Sequence, residues 1–273
     1  MLLKDFLPDP ENREFVRLFR IIHLTLDKHA GEKVKAYPPR PEHVVSFFPK
    51  EMEVAEYNGS KKTKLSCVIT GQHDKPFNRA IQNEFLCLQT VFQPAALFRI
   101  TGIHAHEFNN QYLDAELVFG KTVESVNDQL FHAKTYDEVL CIGNAFAKRL
   151  RHKKAATSID RVGQLLLSSE GNISLDWLAK ESSLSIKQFE RNFRQRTGIT
   201  PKLFSRITRF DKAFRMKNDH PHMDWLTIAL ACSYYDYQHL AKDYKDLTGL
   251  TPPEFHLVDA KSPERLFGLH EGM

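Results

Sequence analysis

The feature that most constrains this chain is an internal repeat near its end: Thr197-Gly198-Ile199-Thr200-Pro201 returns 51 residues later as Thr248-Gly249-Leu250-Thr251-Pro252. At the same offset Phe204 matches Phe255, Phe193 matches Tyr244, and Phe189 matches Leu240. The basic pairs Arg191/Lys242 and Arg194/Lys245 keep the same register. Apolar and basic positions repeating together mark a duplicated supersecondary unit.

Each copy reads as two short helices across a tight turn. In the first, Ser174 caps a helix of about two turns, and Ser185 caps a second helix from Ile186 to Arg196. Ile186, Phe189 and Phe193 share one face of that second helix, and Lys187, Glu190, Arg191 and Arg194 take the other. Gly198 closes it and Pro201 opens the next. The second copy runs from Leu226 to Cys232, turns around Ser233 to Asp236, and resumes from Tyr237 to Leu247. There Leu240, Tyr244 and Leu247 face inward, and Tyr237, Gln238, Lys242 and Lys245 outward. A long helix over Pro201 to Lys217 joins the copies, with Phe204, Ile207, Phe210 and Phe214 inward and Lys202, Arg206, Arg209, Lys212 and Arg215 largely outward. Two helix-turn-helix units held in this way can enter successive major grooves on one face of DNA, about 34 Å apart.

Charge follows the repeat. The chain as a whole carries +4, yet Asn144 to Lys217 alone holds 17 Lys+Arg against 6 Asp+Glu. A compact basic stretch is the electrostatic footprint of a polyanion-binding surface. A solvated helix face accounts for a basic run as well, so the motif has to decide.

From about Ser158 to Phe255 the sequence resembles the DNA-binding domain of the AraC/XylS family of bacterial transcription regulators. The resemblance is carried by Ile173-x-x-x-x-Leu178-Ala179, Phe189-x-Arg191-x-Phe193-x-x-x-x-Gly198, Pro201-x-x-Phe204-x-Arg206-x-x-Arg209-Phe210, Ile228-Ala229, His239-Leu240-x-x-Asp243-Tyr244-Lys245 and Gly249-x-Thr251-Pro252-x-x-Phe255. It implies base contacts from Lys187, Glu190 and Arg191 in the first unit and from Tyr237, Gln238 and Lys242 in the second. The chemistry agrees: Arg191 suits guanine O6 and N7, Glu190 suits cytosine N4, and Gln238 suits adenine N6 and N7. Arg194, Arg206 and Lys245 are candidates for phosphate contacts, which position without reading sequence. Departures from the family pattern lie in the second unit. Ser233 stands where glycine is usual, which predicts an Asx-like or serine-stabilised turn, and Lys242 lacks the planar fork of arginine. The first unit is therefore expected to contribute more specificity.

The first half predicts a mainly antiparallel β domain. Short β-rich runs cover Arg20 to Leu26, His43 to Phe48, Glu53 to Tyr57, Lys64 to Thr70, Leu86 to Gln93 and Leu97 to Thr101. Helices are expected over Val123 to His132 and Tyr136 to Lys154. The run from Phe92 to Ile103 resembles the amino-terminal domain of some AraC-like regulators, which implies sensing or dimerisation. The whole is an α+β chain: a β-rich sensor or dimerisation domain over 1–134, a helical linker over 135–157, the DNA-binding domain over 158–258 and a flexible tail over 259–273.

Cofactors and catalysis find little support. His104-Ala105-His106-Glu107 has the spacing of a metal pair but no further ligand at the required distance, and reads as a surface loop. Cys67, Cys87, Cys141 and Cys232 have no Cys-x-x-Cys spacing and read as reduced thiols. His73-Asp74-Lys75 suits either a polar turn or a small anion site. No nucleophile, phosphate loop or ligand set indicates an enzyme. No apolar run approaches the roughly 18 residues of a membrane span, and the first residues lack a secretory pattern, which predicts a cytoplasmic, nucleoid-associated protein. Expected partners are double-stranded promoter or operator DNA, with a small-molecule effector, RNA polymerase and a second copy of the chain as further candidates. The competing readings are a constitutive architectural DNA binder and an enzyme-like first domain with a DNA-binding tail.

Overall fold

The computed structural model describes residues 1–25, 33–55, 62–81, 84–150 and 154–269. Eight strands form the first domain: β1 (Leu2–Phe6), β2 (Val16–Thr25), β3 (Lys33–Tyr37), β4 (Val44–Ala55), β5 (Lys62–Thr70), β6 (Phe77–Ile81), β7 (Glu84–Phe92) and β8 (Tyr112–Asp114). Six of them make an antiparallel sheet in the order β1-β2-β7-β4-β5-β8, and β3 pairs separately with β6.

The pleat sorts the apolar residues of β2. Phe19 and Ile21 enter a core roofed by helices, while Ile22 and Leu24 enter a smaller cluster on the opposite face with Phe48, Val68 and Phe85. The roof is α3 (Thr122–His132) and α4 (Tyr136–Arg149), following the short helices α1 (Ala96–Thr101) and α2 (Glu116–Phe119). Phe146 of α4 meets Phe47 edge-on with ring centroids 5.0 Å apart. Gly143 permits the close approach, since a Cβ there would stand 3.1 Å from the ring of Phe19.

Several expectations for this half need correction. Leu97 to Thr101 is helical rather than extended: α1 is buried on every side, Arg99 and Thr101 included, so no exposed face prints a helical period on the sequence. Over the described residues, the runs His43 to Phe48 and Glu53 to Tyr57 fall on one strand, β4 (Val44–Ala55), whose pairing with β5 shifts register between Phe47 and Met52. Leu26, Tyr57 and residues 151–153 lie outside the described residues. The second expected helix stops at Arg149, and α4 packs into the first domain instead of serving as a linker.

The second domain is all helical: α5 (Ser158–Ser168), α6 (Leu175–Glu181), α7 (Ile186–Thr197), α8 (Pro201–Asp219), α9 (Trp225–Ala231), α10 (Tyr237–Thr248), α11 (Pro252–Asp259) and α12 (Pro263–Leu266). Its core is aromatic. Phe189, Phe193, Phe210, Phe214, Leu240 and Tyr244 are buried around α8. The expected flexible tail is largely folded: α12 buries Glu264, Arg265 pairs with Asp259 at 2.9 Å, and only residues 270–273 lie outside the described residues.

The domains meet through buried charge. Arg20 of β2 reaches Asp5 at 2.7 Å and Glu42 at 3.1 Å, Arg17 also pairs with Glu42, and Arg215 of α8 stands 3.8 Å from Glu42 and 4.0 Å from Asp5. Burial opposes the charge of Glu42, but Arg20, Arg17 and Arg40 around it hold its carboxyl far below the ordinary range. Arg40 faces Asp211 of α8 at 3.6 Å, and the Tyr37 hydroxyl donates to Glu264 at 3.4 Å.

Candidate nucleic-acid interface

Both units build the same turn by the same means. Ser174 accepts from the Trp177 amide at 3.3 Å, and Ser185 and Gln188 cap α7 reciprocally, with the Ser185 amide donating to Gln188 Oε1 at 3.1 Å. In the second unit Asp224 accepts from Thr227 at 2.9 Å and Asp236 from His239 at 2.8 Å. The turn is closed by Leu184 N to Ala179 O at 3.1 Å in one copy and by Tyr234 N to Ala229 O at 2.9 Å in the other. Ser183 (φ 55°) and Ser233 (φ 60°) occupy the left-handed region in equivalent places. Ser233 thus takes a backbone conformation that glycine adopts without strain. The second turn is one residue longer: Asp236 lies four residues after the end cap of α9, against three from Ser182 to Ser185. The caps, at about 1 kcal/mol each, and the buried aromatic faces fix both second helices in place.

The second helices end alike. Thr197 Oγ1 donates to Phe193 O at 2.9 Å and Thr248 Oγ1 to Tyr244 O at 2.7 Å, followed by Gly198 (φ 87°) and Gly249 (φ 77°). On α7 the residues Lys187, Glu190, Arg191 and Arg194 form one exposed stripe. On α10, Gln238, Lys242 and Lys245 are exposed and Tyr237 is half-buried against the domain core. Arg206 stands apart from them. It bridges α8 to α10, with Asp243 at 2.8 Å and Asp246 at 2.6 Å, and although burial works against its charge these two carboxylates hold its proton more firmly.

The outward basic face expected of α8 is mostly engaged. Lys212 pairs with Glu170, Arg215 with Asp211 at 2.9 Å, Arg209 lies over the Tyr234 ring, and Lys217 donates to the Pro221 and Met223 carbonyls. All four side chains are half-buried. The positive surplus therefore gathers on α7 and its flanks, with Lys180 and Lys202 also exposed.

Sequence reasoning missed what lies beside α7. The turn His104 to Glu107 sits against its carboxyl-terminal half: His104 Nε2 meets the Gln195 amide nitrogen at 2.8 Å, and Asn109 donates to Gly198 O at 2.8 Å. Arg196 of α7 covers the Phe98 ring and pairs with Asp160 at 2.8 Å. No group of three or more metal-ligating side chains occurs among the described residues, and no described helix is long and apolar enough to cross a membrane.

Residues 178–256 match the model of a helix-turn-helix domain family. The match spans α6 to α11, so it takes in both units. No curated protein sequence matches the chain. Among solved structures, an apo variant of ToxT from Vibrio cholerae is similar at 10% identity and a TM-score of 0.49, covering 88% of this chain and 97% of that one. ToxT from Vibrio cholerae bound to an unsaturated fatty acid is similar at 11% identity and a TM-score of 0.46, covering 93% of this chain and 97% of that one. The matched domain defines a DNA-binding protein of the transcription-regulator class. Its paired units, joined by the long helix α8, are of the AraC/XylS type.

Proposed function

We propose that the chain reads a promoter or operator with α7 and α10 and adjusts that reading to a small molecule held by the first domain. The observation that carries the DNA-reading half is the stripe Lys187, Glu190, Arg191 and Arg194, exposed on a helix fixed by its cap and its buried face. Arg191 reads guanine, Glu190 cytosine and Gln238 adenine; Lys187, Tyr237 and Lys242 complete the base contacts. Arg194 and Lys245 bind phosphate, and Arg206 joins them only by releasing Asp246. Regulation rather than catalysis is the role, exercised where the genome lies.

The effector half rests on a narrow cleft of ≈ 50 Å³ between the sheet and the β3–β6 pair, which has to widen to admit more than a few atoms. Ile22, Tyr37, Val44 and Phe77 supply apolar wall, and Arg20, Arg40, His73 and Gln89 polar atoms. The same Arg40 and Tyr37 touch α8 and α12, so an occupant presses on the domain junction. A small, partly apolar occupant with a polar end suits that lining, which also carries the Glu42 carboxylate.

Selection of bound sequences from random duplex DNA at near-physiological salt, with Arg191→Ala as control, tests the reading. The expected result is a discrete motif about two helical turns long that degrades in the control. A paired motif would report two copies of the chain on one site. Binding without a motif, lost steeply with salt, would replace it with an architectural role. A melting temperature raised by a compound and lost in Arg40→Ala would locate the effector.

A further inference from the structure

Between the His104–Glu107 turn of the first domain and α7 runs a groove. His104 and His106 line one side, and Lys187, Glu190, Arg191, Arg194 and Gln195 the other. Its α7 wall holds Lys187, Glu190 and Arg191, assigned above to the bases, and Arg194, assigned to phosphate, so the groove continues the proposed DNA surface onto a domain with no helix-turn-helix of its own. When α7 lies in a major groove about 12 Å wide, one phosphate strand must pass along its flank. On this side the flank is the histidine turn.

We infer that His104 and His106 hold the phosphate backbone beside the groove that α7 enters, making the first domain part of the DNA interface. This rests on the reading of α7 as a DNA-binding helix. The Gln195 amide nitrogen lies 2.8 Å from His104 Nε2; with the amide as donor, the imidazole proton sits on Nδ1 of this exposed residue, as a donor for a phosphate oxygen. His106, also exposed, stands with its ring centroid 5.6 Å from that of His104, so the two rings present donors to neighbouring oxygens of one strand. The charges around the pair are Lys187, Arg191 and Arg194 from α7, Arg196 behind Phe98, and the opposing Glu190 and Glu107. Glu107 lies 3.1 Å from His106 Nε2 and repels phosphate, and exchanging it for phosphate releases that imidazole. Backbone contacts of this kind position a protein without reading sequence, so the histidines set affinity and register, not motif.

The test uses the full chain and the duplex recovered by selection, with affinity measured across salt for wild type, His106→Ala and His106→Lys. His106 is chosen because its recorded ion pair is within its own turn, whereas His104 also ties the two domains. The expectation is that His106→Ala weakens binding about 3- to 10-fold on every sequence alike, in keeping with a phosphate contact. His106→Lys should steepen the slope of log K against log salt by about 0.9, the value for one further neutralised phosphate. Glu107→Gln should tighten binding. Equal affinity and slope in all variants would overturn the inference, and tighter binding by His106→Ala would mean that the turn obstructs DNA. If wild type binds no duplex at any salt, the reading of α7 itself fails.

Discussion

Asn109 of the first domain donates its side-chain amide to the carbonyl of Gly198, the residue that ends α7, at 2.8 Å. A Cβ on Gly198 would lie 2.3 Å from Asn109 Oδ1, whereas its repeat partner Gly249 has nothing within 4 Å. Both glycines sit at positive φ. Gly249→Ala should cost about 1 kcal/mol, the penalty of left-handed backbone alone. Gly198→Ala should cost about 2–3 kcal/mol because it also displaces Asn109. Urea unfolding of the two variants checks this, and equal losses would show that the junction yields freely.

Arg20 is the centre of the buried charge between the domains. Removing it leaves Asp5 and Glu42 facing each other without their main partner, so Arg20→Ala should destabilise by about 3–5 kcal/mol. Denaturant midpoints at neutral pH measure it. A loss under 1 kcal/mol would mean that Arg17 and Arg215 suffice.

Acid should loosen the chain in a defined window. Burial lowers His43 to about 4 from an ordinary value of 6.5, with a backbone hydrogen bond to Thr197 of α7 acting the other way. Above about pH 6.5 neither state takes up a proton; between there and about 4 the unfolded chain does and the folded chain does not. Stability therefore falls as pH falls, by about 1.4 kcal/mol per pH unit for this group. His256, lowered to about 3 by burial and by Lys217 and Arg265, acts in the same sense. His43→Gln should remove its share of the slope between pH 6.5 and 5, and an unchanged slope would assign the effect elsewhere.

Thiol labelling should be selective. Cys141 is exposed on α4, while Cys67, Cys87 and Cys232 are buried, and burial raises the Cys67 thiol and lifts Cys232 to about 11. An aromatic disulfide reagent should titrate one thiol quickly in the native protein and four in denaturant. A second fast thiol would indicate opening of the sheet or of α9.

The two units should differ in discrimination. Arg191→Ala should relax preference at its base by about 1–3 kcal/mol, and Lys242→Ala by less, since lysine lacks the bidentate fork. Arg194→Ala should weaken all sequences alike and flatten the salt slope by about 1. Binding curves on matched and single-mismatch sites decide, and a larger loss of discrimination from Lys242→Ala would reverse the ranking.

The second domain was readable because its signals are local. Ser185 and Gln188 cap within one turn, Phe189 and Phe193 share a face, and Gly198 and Pro201 punctuate, each within a few residues of the feature it specifies. The first domain hid what depends on distance. α1 is buried on all sides, Arg99 and Thr101 included, and so carries no clear period, and β1 reveals itself only by pairing with β2. Arg17 and Arg20 in the otherwise largely apolar stretch from Val16 to Thr25 were local signs of buried charge, but their partners lie at Asp5 and Glu42. The same holds at the proposed DNA surface, where His104 and Gln195 are 91 residues apart. No spacing rule links them.

One consequence concerns how such a protein can change its targets. α7 is seated on the first domain through Gln195, Arg196 and Gly198, while α10 is surrounded by α8, α9 and α11 of its own domain. On the proposed reading, substitutions at Gln238 or Lys242 would rewrite one half of a recognised site without touching the first domain. Substitutions along α7 risk altering both at once. On that reading the α10 half of the target is the half free to wander over generations, and the α7 half is the anchor that would keep signal and address together.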